Sequence, residues 1–161
     1  PVYLRFGRDA YPIVPAIHGE FEIGKAKVLQ MGDDLTIITT GIMISEGMKA
    51  AKQLEAEGLS IRLLHLPTIK PMDQEAILEA AKATKGIITA EEHSVIGGLG
   101  EAVAGLVSEY CPKPVIRIGM QDVFGESGQA QELMDKYGLR AQNIVEAGQR
   151  LLAHFYPMPT S

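Results

Sequence analysis

Cysteine occurs once, as Cys111, so no internal disulfide can form. That scarcity suits the reducing cytosol, and a cytoplasmic location is the expectation. Basic clusters are missing too. The chain has 15 Lys and Arg against 20 Asp and Glu, with a net charge of −5 and a pI near 5.4. An acidic chain without a basic run is a poor match for nucleic acid or an anionic membrane surface. No apolar run approaches the ~20 residues that cross a bilayer, and the first residues carry no signal-peptide pattern. There are no internal repeats and no low-complexity tracts. An initiator Met is also missing: the sequence starts at Pro1, as expected of a piece of something longer.

What is present is an ordinary globular composition. With 161 residues, 46% hydrophobic and 22% charged, the chain can bury the core of one domain. The first 25 residues differ from the rest. "PVYLRFGRDAYPIVP" reads as a strand, a Gly-Arg turn and a Pro-bounded extended piece, and residues 16–25 read as a connector. From Lys25 onward, strand and helix patterns alternate. Residues 26–30 and 35–40 flank the turn Gly32-Asp33-Asp34 and read as a hairpin. A helix follows with Met48, Ala51 and Leu54 at helical spacing, Ser45 as cap and Gly58 as stop. "IRLLHL" has the apolar run of a strand buried on both faces. Asp73 caps a helix carrying Ala76, Ile77, Ala80 and Ala81, and Gly86 restarts a strand, "GIITAEE". The next helix places Ala102, Val103, Leu106, Val107 and Tyr110 on one face and stops before Pro112. "PVIRIG" is a further strand. Two helices close the chain, one around Leu133, Met134 and Tyr137 ended by Gly138, the other around Ile144, Val145, Gly148 and Leu152. This rhythm predicts an α/β layer sandwich with a mostly parallel sheet and a frayed tail.

The densest chemistry lies in "TAEEHSVIGGLGEAVA", Thr89 to Ala104. Glu91, Glu92 and His93 sit at a strand's carboxyl end, where α/β sheets meet their ligands. The helix starting near Gly98 aims free N–H groups and its positive dipole end the same way. A carboxylate beside a His can do acid–base work. Gly97-Gly98-Leu99-Gly100 lacks the spacing of a dinucleotide fingerprint and the Lys of a phosphate loop. Successive strand residues point to opposite sides, so Glu-Glu-His forms no helical metal face. The plainer reading is a sharp turn with close helix–sheet packing, in which Glu92 and His93 bond to backbone or to a partner surface. Elsewhere, Cys111 reads as a helix-end residue and His18 and His65 as packed or solvent-facing residues. Ser127 in "FGESG" reads as a helix cap, and Arg8 after Gly7 as a guanidinium able to grip a phosphate.

Taken together, "IGKAKVLQMGDDLTIITTG", "TIKPMD", "TAEEHSVIGGLGEAVA", "FGESG", "ELMDKYGL" and "NIVEA" resemble the transketolase C-terminal domain. The likeness is closest to the split type, encoded as N-terminal and C-terminal sections, and runs from about Pro1 to Leu152. Deoxyxylulose-phosphate synthase and the β subunits of 2-oxo-acid dehydrogenases resemble the chain less closely. The resemblance implies a three-layer α/β/α sandwich on a five-stranded mixed sheet whose first strand is antiparallel. It also implies another strand between the two runs read as a hairpin. Residues 1–20 would be a stub of the preceding pyrimidine-binding domain plus connector, 21–155 the domain and 156–161 the tail. The complete enzyme would use thiamine diphosphate and a divalent metal, Mg or Ca, to move a two-carbon ketol unit between sugar phosphates. That is pentose-phosphate chemistry, with the cofactor between two upstream domains.

By the same resemblance, no catalytic or metal-binding residue is expected in this chain. Arg8 would bind the substrate phosphate. Glu92, His93, Gly97, Gly98 and Gly100 would form an interdomain loop or a possible ligand loop. The partners implied are the N-terminal section, other domains of the same enzyme and further copies in a homo-oligomer. A docking module for a partner acyltransferase and a regulatory ligand-binding domain are the alternatives. Relatives often have Thr or Ser before the last helix where this chain has Arg140, a change expected to weaken that cap by about 1 kcal/mol.

Overall fold

A computed structural model describes residues 1–7, 11–17, 19 and 21–155. Five strands form one mixed sheet: β1 (Lys27–Gln30), β2 (Leu35–Thr39), β3 (Ile61–His65), β4 (Gly86–Ser94) and β5 (Val115–Met120). Five helices join or follow them: α1 (Met43–Ala56), α2 (Gln74–Ala83), α3 (Leu99–Tyr110), α4 (Ala130–Lys136) and α5 (Ala141–Phe155). Sheet order is β1-β3-β2-β4-β5, with β1 antiparallel to β3 and every other pair parallel. The three-layer mixed sandwich expected above is therefore present.

The hairpin reading is corrected. β1 pairs with β3, Lys27 opposite His65 and Val28 opposite Leu64, and β2 lies one place further in. Burial explains the choice. Every residue of β2 is buried, and both of its edges are taken by parallel neighbours. The half-exposed "KVLQ" of β1 suits an edge. On leaving that edge for β2 the chain passes close over β3. A Cβ on Gly32 would meet the Ile61 backbone, so only glycine fits there.

Two apolar layers cover the sheet. On one face Leu35, Ile37, Ile61, Leu63 and Ile88 pack with Ala50, Ala51 and Leu54 of α1 and Ile144, Val145 and Leu151 of α5. On the other, Ile38, Leu64 and Ile87 pack with Ile77, Ala80 and Ala81 of α2 and Leu99, Val103, Leu106 and Val107 of α3. Met48 and Tyr110, read as inward-facing, are exposed. Each lies at the flank of its helix's apolar stripe, where periodicity discriminates least.

The helix starts separate local from tertiary causes. Asp73 caps α2 as expected, its Oδ1 accepting from Ala76 N at 3.2 Å; its Oδ2 accepts from Ala26 N at 2.9 Å, tying down the start of β1. Ser45 does not cap α1. That helix starts two residues earlier, and tight-turn bonds from Met43 N to Thr40 O and from Ile44 N to Gly41 O satisfy its first donors. Nor does Ser127 cap α4, which follows Gln129. The weak cap expected at Arg140 is made good by Glu46 of α1, whose buried carboxylate accepts from Ala141 N at 2.8 Å. Gly58 does end the α1 segment, at φ +87°, and Gly138 follows α4 at φ +68°.

Residues 1–7 form no strand, contrary to the sequence reading. Val2, Tyr3, Leu4 and Phe6 are exposed, because no sheet edge lies beside them to supply ladder bonds. Arg8, His18 and the tail 156–161 lie outside the described residues.

Candidate functional site at the carboxyl ends of the strands

β4 runs past its neighbours, and its last residues lie over the start of α3. Alternation along β4 sends Thr89 and Glu91 toward α3 and Ile88 and Ala90 toward α1 and α5. Glu91, only 1% exposed, is the centre of the arrangement. Its Oε2 accepts from Leu99 N at 2.7 Å and its Oε1 from Gly100 N at 2.8 Å. A full negative charge therefore rests on the positive end of α3, where it satisfies two donors that the helix itself cannot. Gly98 has no side chain to do this, and none would fit: a Cβ there would meet the Glu91 carboxylate and, at 2.7 Å, Ser94 O. At Gly100 a Cβ would come within 2.7 Å of Thr89 Oγ1 and 2.8 Å of Arg117 Cγ. Gly97 takes φ +72° to turn the chain, and its N–H bonds Glu101 Oε2 at 2.8 Å. The glycines thus serve turning and close approach, as the plainer sequence reading held.

Glu92 and His93 face outward from this buried core. His93 Nδ1 lies 2.9 Å from Ser94 O; a carbonyl only accepts, so Nδ1 carries the proton. The same atom is 3.9 Å from Glu91 Oε2. Glu92 meets the N-terminal arm: Arg5 Nη1 donates to Glu92 O at 2.6 Å, and Arg5 Nη2 stands 3.7 Å from Glu92 Oε2. Both side chains are partly exposed and bonded locally, and among the described residues the only carboxylate near His93, Glu91, stands beyond hydrogen-bond distance. The loops after the neighbouring strands add Ile69, Ile96, Val123 and Phe124 to this end of the molecule, all of them exposed. Tyr137 Oη (3.4 Å from Phe124 O) and the Lys136–Glu126 pair at 2.7 Å hold the loop that presents Phe124.

His65 ends β3 on the α1 side. Burial pushes its pKa down to about 4, against a smaller upward pull from the Thr39 backbone; Thr39 Oγ1 also lies 3.1 Å from Nδ1. It is a packed, neutral histidine, one of the two readings that the sequence left open. Cys111 is the C-cap residue of α3, its N–H bonded to Val107 O. Thr89 Oγ1 is the single buried side-chain oxygen or nitrogen without a hydrogen-bond partner among the described residues.

A family profile described as "Transketolase, C-terminal domain" matches residues 24–144. The chain belongs to that family. It is 44% identical over 147 residues to the 6-deoxy-6-sulfo-D-fructose transketolase subunit of a Clostridium species, covering 91% of this chain and 46% of the relative. Identity is also 44%, over 149 residues, with the putative transketolase C-terminal section of Methanocaldococcus jannaschii, with the same coverage. A solved split-gene transketolase, described as an inactive β4 tetramer, superposes with a TM-score of 0.86 at 48% identity, over 91% of this chain and 48% of the other. A Leishmania mexicana transketolase superposes at 0.61 with 23% identity, over 86% of this chain and 19% of that one, a likeness of fold. The chain spans about half the length of the curated relatives it matches.

In this transketolase C-terminal domain the described residues include no group of three or more His, Cys, Asp or Glu able to hold a metal ion. The one deeply buried carboxylate at the strand ends, Glu91, has both oxygens taken by backbone donors. Among the described residues a divalent cation with a diphosphate has no fitting donor set, and the start of α3 is already filled by a carboxylate. Sequence reading singled out the stretch Thr89 to Ala104 but gave no separate role to Glu91, Arg5 or Glu46. The usable signal for Glu91 was parity: it shares a strand face with Ile87 and Thr89, so it had to point inward and find donors.

Proposed function

We propose that this chain is the C-terminal part of a thiamine-diphosphate-dependent transketolase that moves a two-carbon ketol unit between sugar phosphates. In this reading the domain serves assembly, and the cofactor with its divalent metal, Mg or Ca, is held by other domains. The observation that carries it is the family match across residues 24–144. Subunit and section names among relatives that this chain half spans agree with a division of labour between chains or domains. Arg8 binds the substrate phosphate. The loop of Glu92, His93, Gly97, Gly98 and Gly100 meets another domain or subunit, since its outward side chains are exposed while its inward carboxylate is committed to α3. The N-terminal section, further copies of the enzyme and a sugar phosphate are the partners, in the cytoplasm.

The test uses the complete enzyme carrying His93→Ala, assayed at saturating substrate with its quaternary state followed by light scattering. Weakened assembly or a lower melting temperature with kcat within about tenfold of the parent supports the reading. A loss of kcat near a thousandfold with intact assembly and melting makes His93 an acid–base catalyst and overturns it, since removing such a group costs about 10²- to 10⁴-fold.

A further inference from the structure

β4 and β5 fall out of step at their carboxyl ends. From Ala90 to Ser94 the first strand takes four steps where the second, from Ile118 to Met120, takes two. The surplus is a bulge, a local break in the ladder that re-aims backbone groups and side chains. Its neighbours make room for it. A Cβ on Gly119 would come within 2.8 Å of His93 O and 3.3 Å of Glu91 Cγ, so β5 has glycine where the bulge leans on it. Glu91 fastens the bulge to α3 from inside. Glu92 is presented outward, and two of its oxygens meet the N-terminal arm. Arg5 Nη1 donates to Glu92 O at 2.6 Å, and Arg5 Nη2 lies 3.7 Å from Glu92 Oε2. Arg5 is the one charged side chain in residues 1–7. Among the described residues it alone ties that arm to the sheet by hydrogen bond or ion pair. Further along, Tyr11 and Pro12 line a cavity of about 130 Å³ with Ile42 and Ser45 at the start of α1. A Cβ on Gly7 would strike the Tyr11 ring, so the chain on either side of Arg8 is drawn together.

We infer that Glu92 is a positioning residue for ketol transfer. Its carbonyl and carboxylate hold Arg5, and through Arg5 they set how Gly7-Arg8 is offered to the substrate's phosphate. The inference rests on the reading of Arg8 as the phosphate ligand given above. A loose arm samples many placements of a guanidinium, whereas a phosphate contact needs one. A charge-assisted bond from Arg5 to a carbonyl on an anchored bulge removes part of that freedom before substrate arrives. Glu92 itself touches no substrate. Its influence is confined to phosphorylated substrates, because only they use Arg8.

The test uses the complete enzyme, assayed with a phosphorylated donor sugar and with an unphosphorylated one. Arg5→Ala should raise KM for the phosphorylated donor about tenfold. KM for the other donor, and kcat at saturation for both, should stay within about twofold. Arg5→Lys, which keeps the charge and a donor, should recover most of the loss. Glu92→Ala keeps its carbonyl and should raise the same KM about threefold, with no further rise when added to Arg5→Ala. Equal rises for both donors in Arg5→Ala, or a Glu92→Ala effect that persists in full without Arg5, overturn the inference. Arg8→Ala tells its failure from that of the reading beneath it. A phosphate-selective loss in Arg8→Ala with none in Arg5→Ala overturns the positioning role alone. An unselective loss in Arg8→Ala removes the phosphate reading and the positioning role together.

Discussion

At the amino ends of the strands, the turn after β1 is locked by polar groups that answer one another. Asp34 accepts from Ser60 N at 2.8 Å and from Lys85 Nζ at 2.7 Å, its N–H donates to Ser60 O, and Lys113 Nζ donates to Thr84 O at 3.0 Å. Exposed apolar residues there, Met31 and Tyr110, stand singly. At the carboxyl ends the polar work is done inside, by Glu91 on α3, while Ile69, Ile96, Val123, Phe124 and the N-terminal arm are left outward. One end carries polar pairs between its turns; the other holds a carboxylate inside and leaves several apolar side chains outward. A buried carboxylate on two backbone donors fixes that end more firmly than partly exposed ion pairs fix the other.

The largest effect should come from the tightest point of the carboxyl end. Gly98→Val puts a β-branched side chain into the Glu91 carboxylate and should cost about 4 kcal/mol or more, or prevent folding. Urea unfolding decides it; a cost under about 1 kcal/mol would mean that the loop yields easily. Next is Glu91→Gln. One amide oxygen cannot serve both Leu99 N and Gly100 N, so about 3 kcal/mol should be lost, with faster amide exchange in the first turn of α3. Unchanged exchange there would remove Glu91 as the anchor of this end.

The third expectation concerns pH. The folded-state pKa of His65 is depressed to about 4 from 6.5, so above pH 6.5 both folded and unfolded forms are neutral and its contribution is whole. As pH falls from 6.5 toward 4 the unfolded chain binds a proton that the folded one refuses, and roughly 3 kcal/mol is lost. Chemical unfolding at stepped pH should show this slope, and His65→Gln should flatten it. An equal slope in the variant would place the acid sensitivity elsewhere. The smallest effect belongs to the amino end: Asp34→Ala should cost about 1 kcal/mol, because its partners are near water and can be resolvated. A cost matching that of Glu91→Gln would erase the difference between the two ends.

Much of this was legible in the residues. The alternation of apolar runs with helical spacing specified the layers, since burial on both faces needs a continuous apolar strand and burial on one face needs a stripe. Asp73 capped α2 and Gly58 ended the α1 segment as read, because both act on backbone within a few residues. The stretch around Glu91, Glu92 and His93 was marked as important by its place at a strand end. Contacts between distant residues were beyond that reading. Ser45 and Ser127 looked like caps, yet the helices start elsewhere, and Glu46, ninety-five positions away, caps Ala141 instead.

By itself, the sequence determined the α/β class, the order of strands and helices, the local cap and stops and, through its motifs, the family. Those depend on period, turn residues and short spacing, which any stretch of chain carries within itself. Tertiary structure decided that β1 crosses to the far side of β3, that Glu91 rather than Glu92 or His93 anchors the strand end, and that Arg5 reaches Glu92 O. It also left β5 as the open edge. Each of these depends on which buried donor stands near which acceptor once the layers close. Unpaired polar groups are costly only after water has gone, so their partners are chosen by packing, not by neighbourhood along the chain.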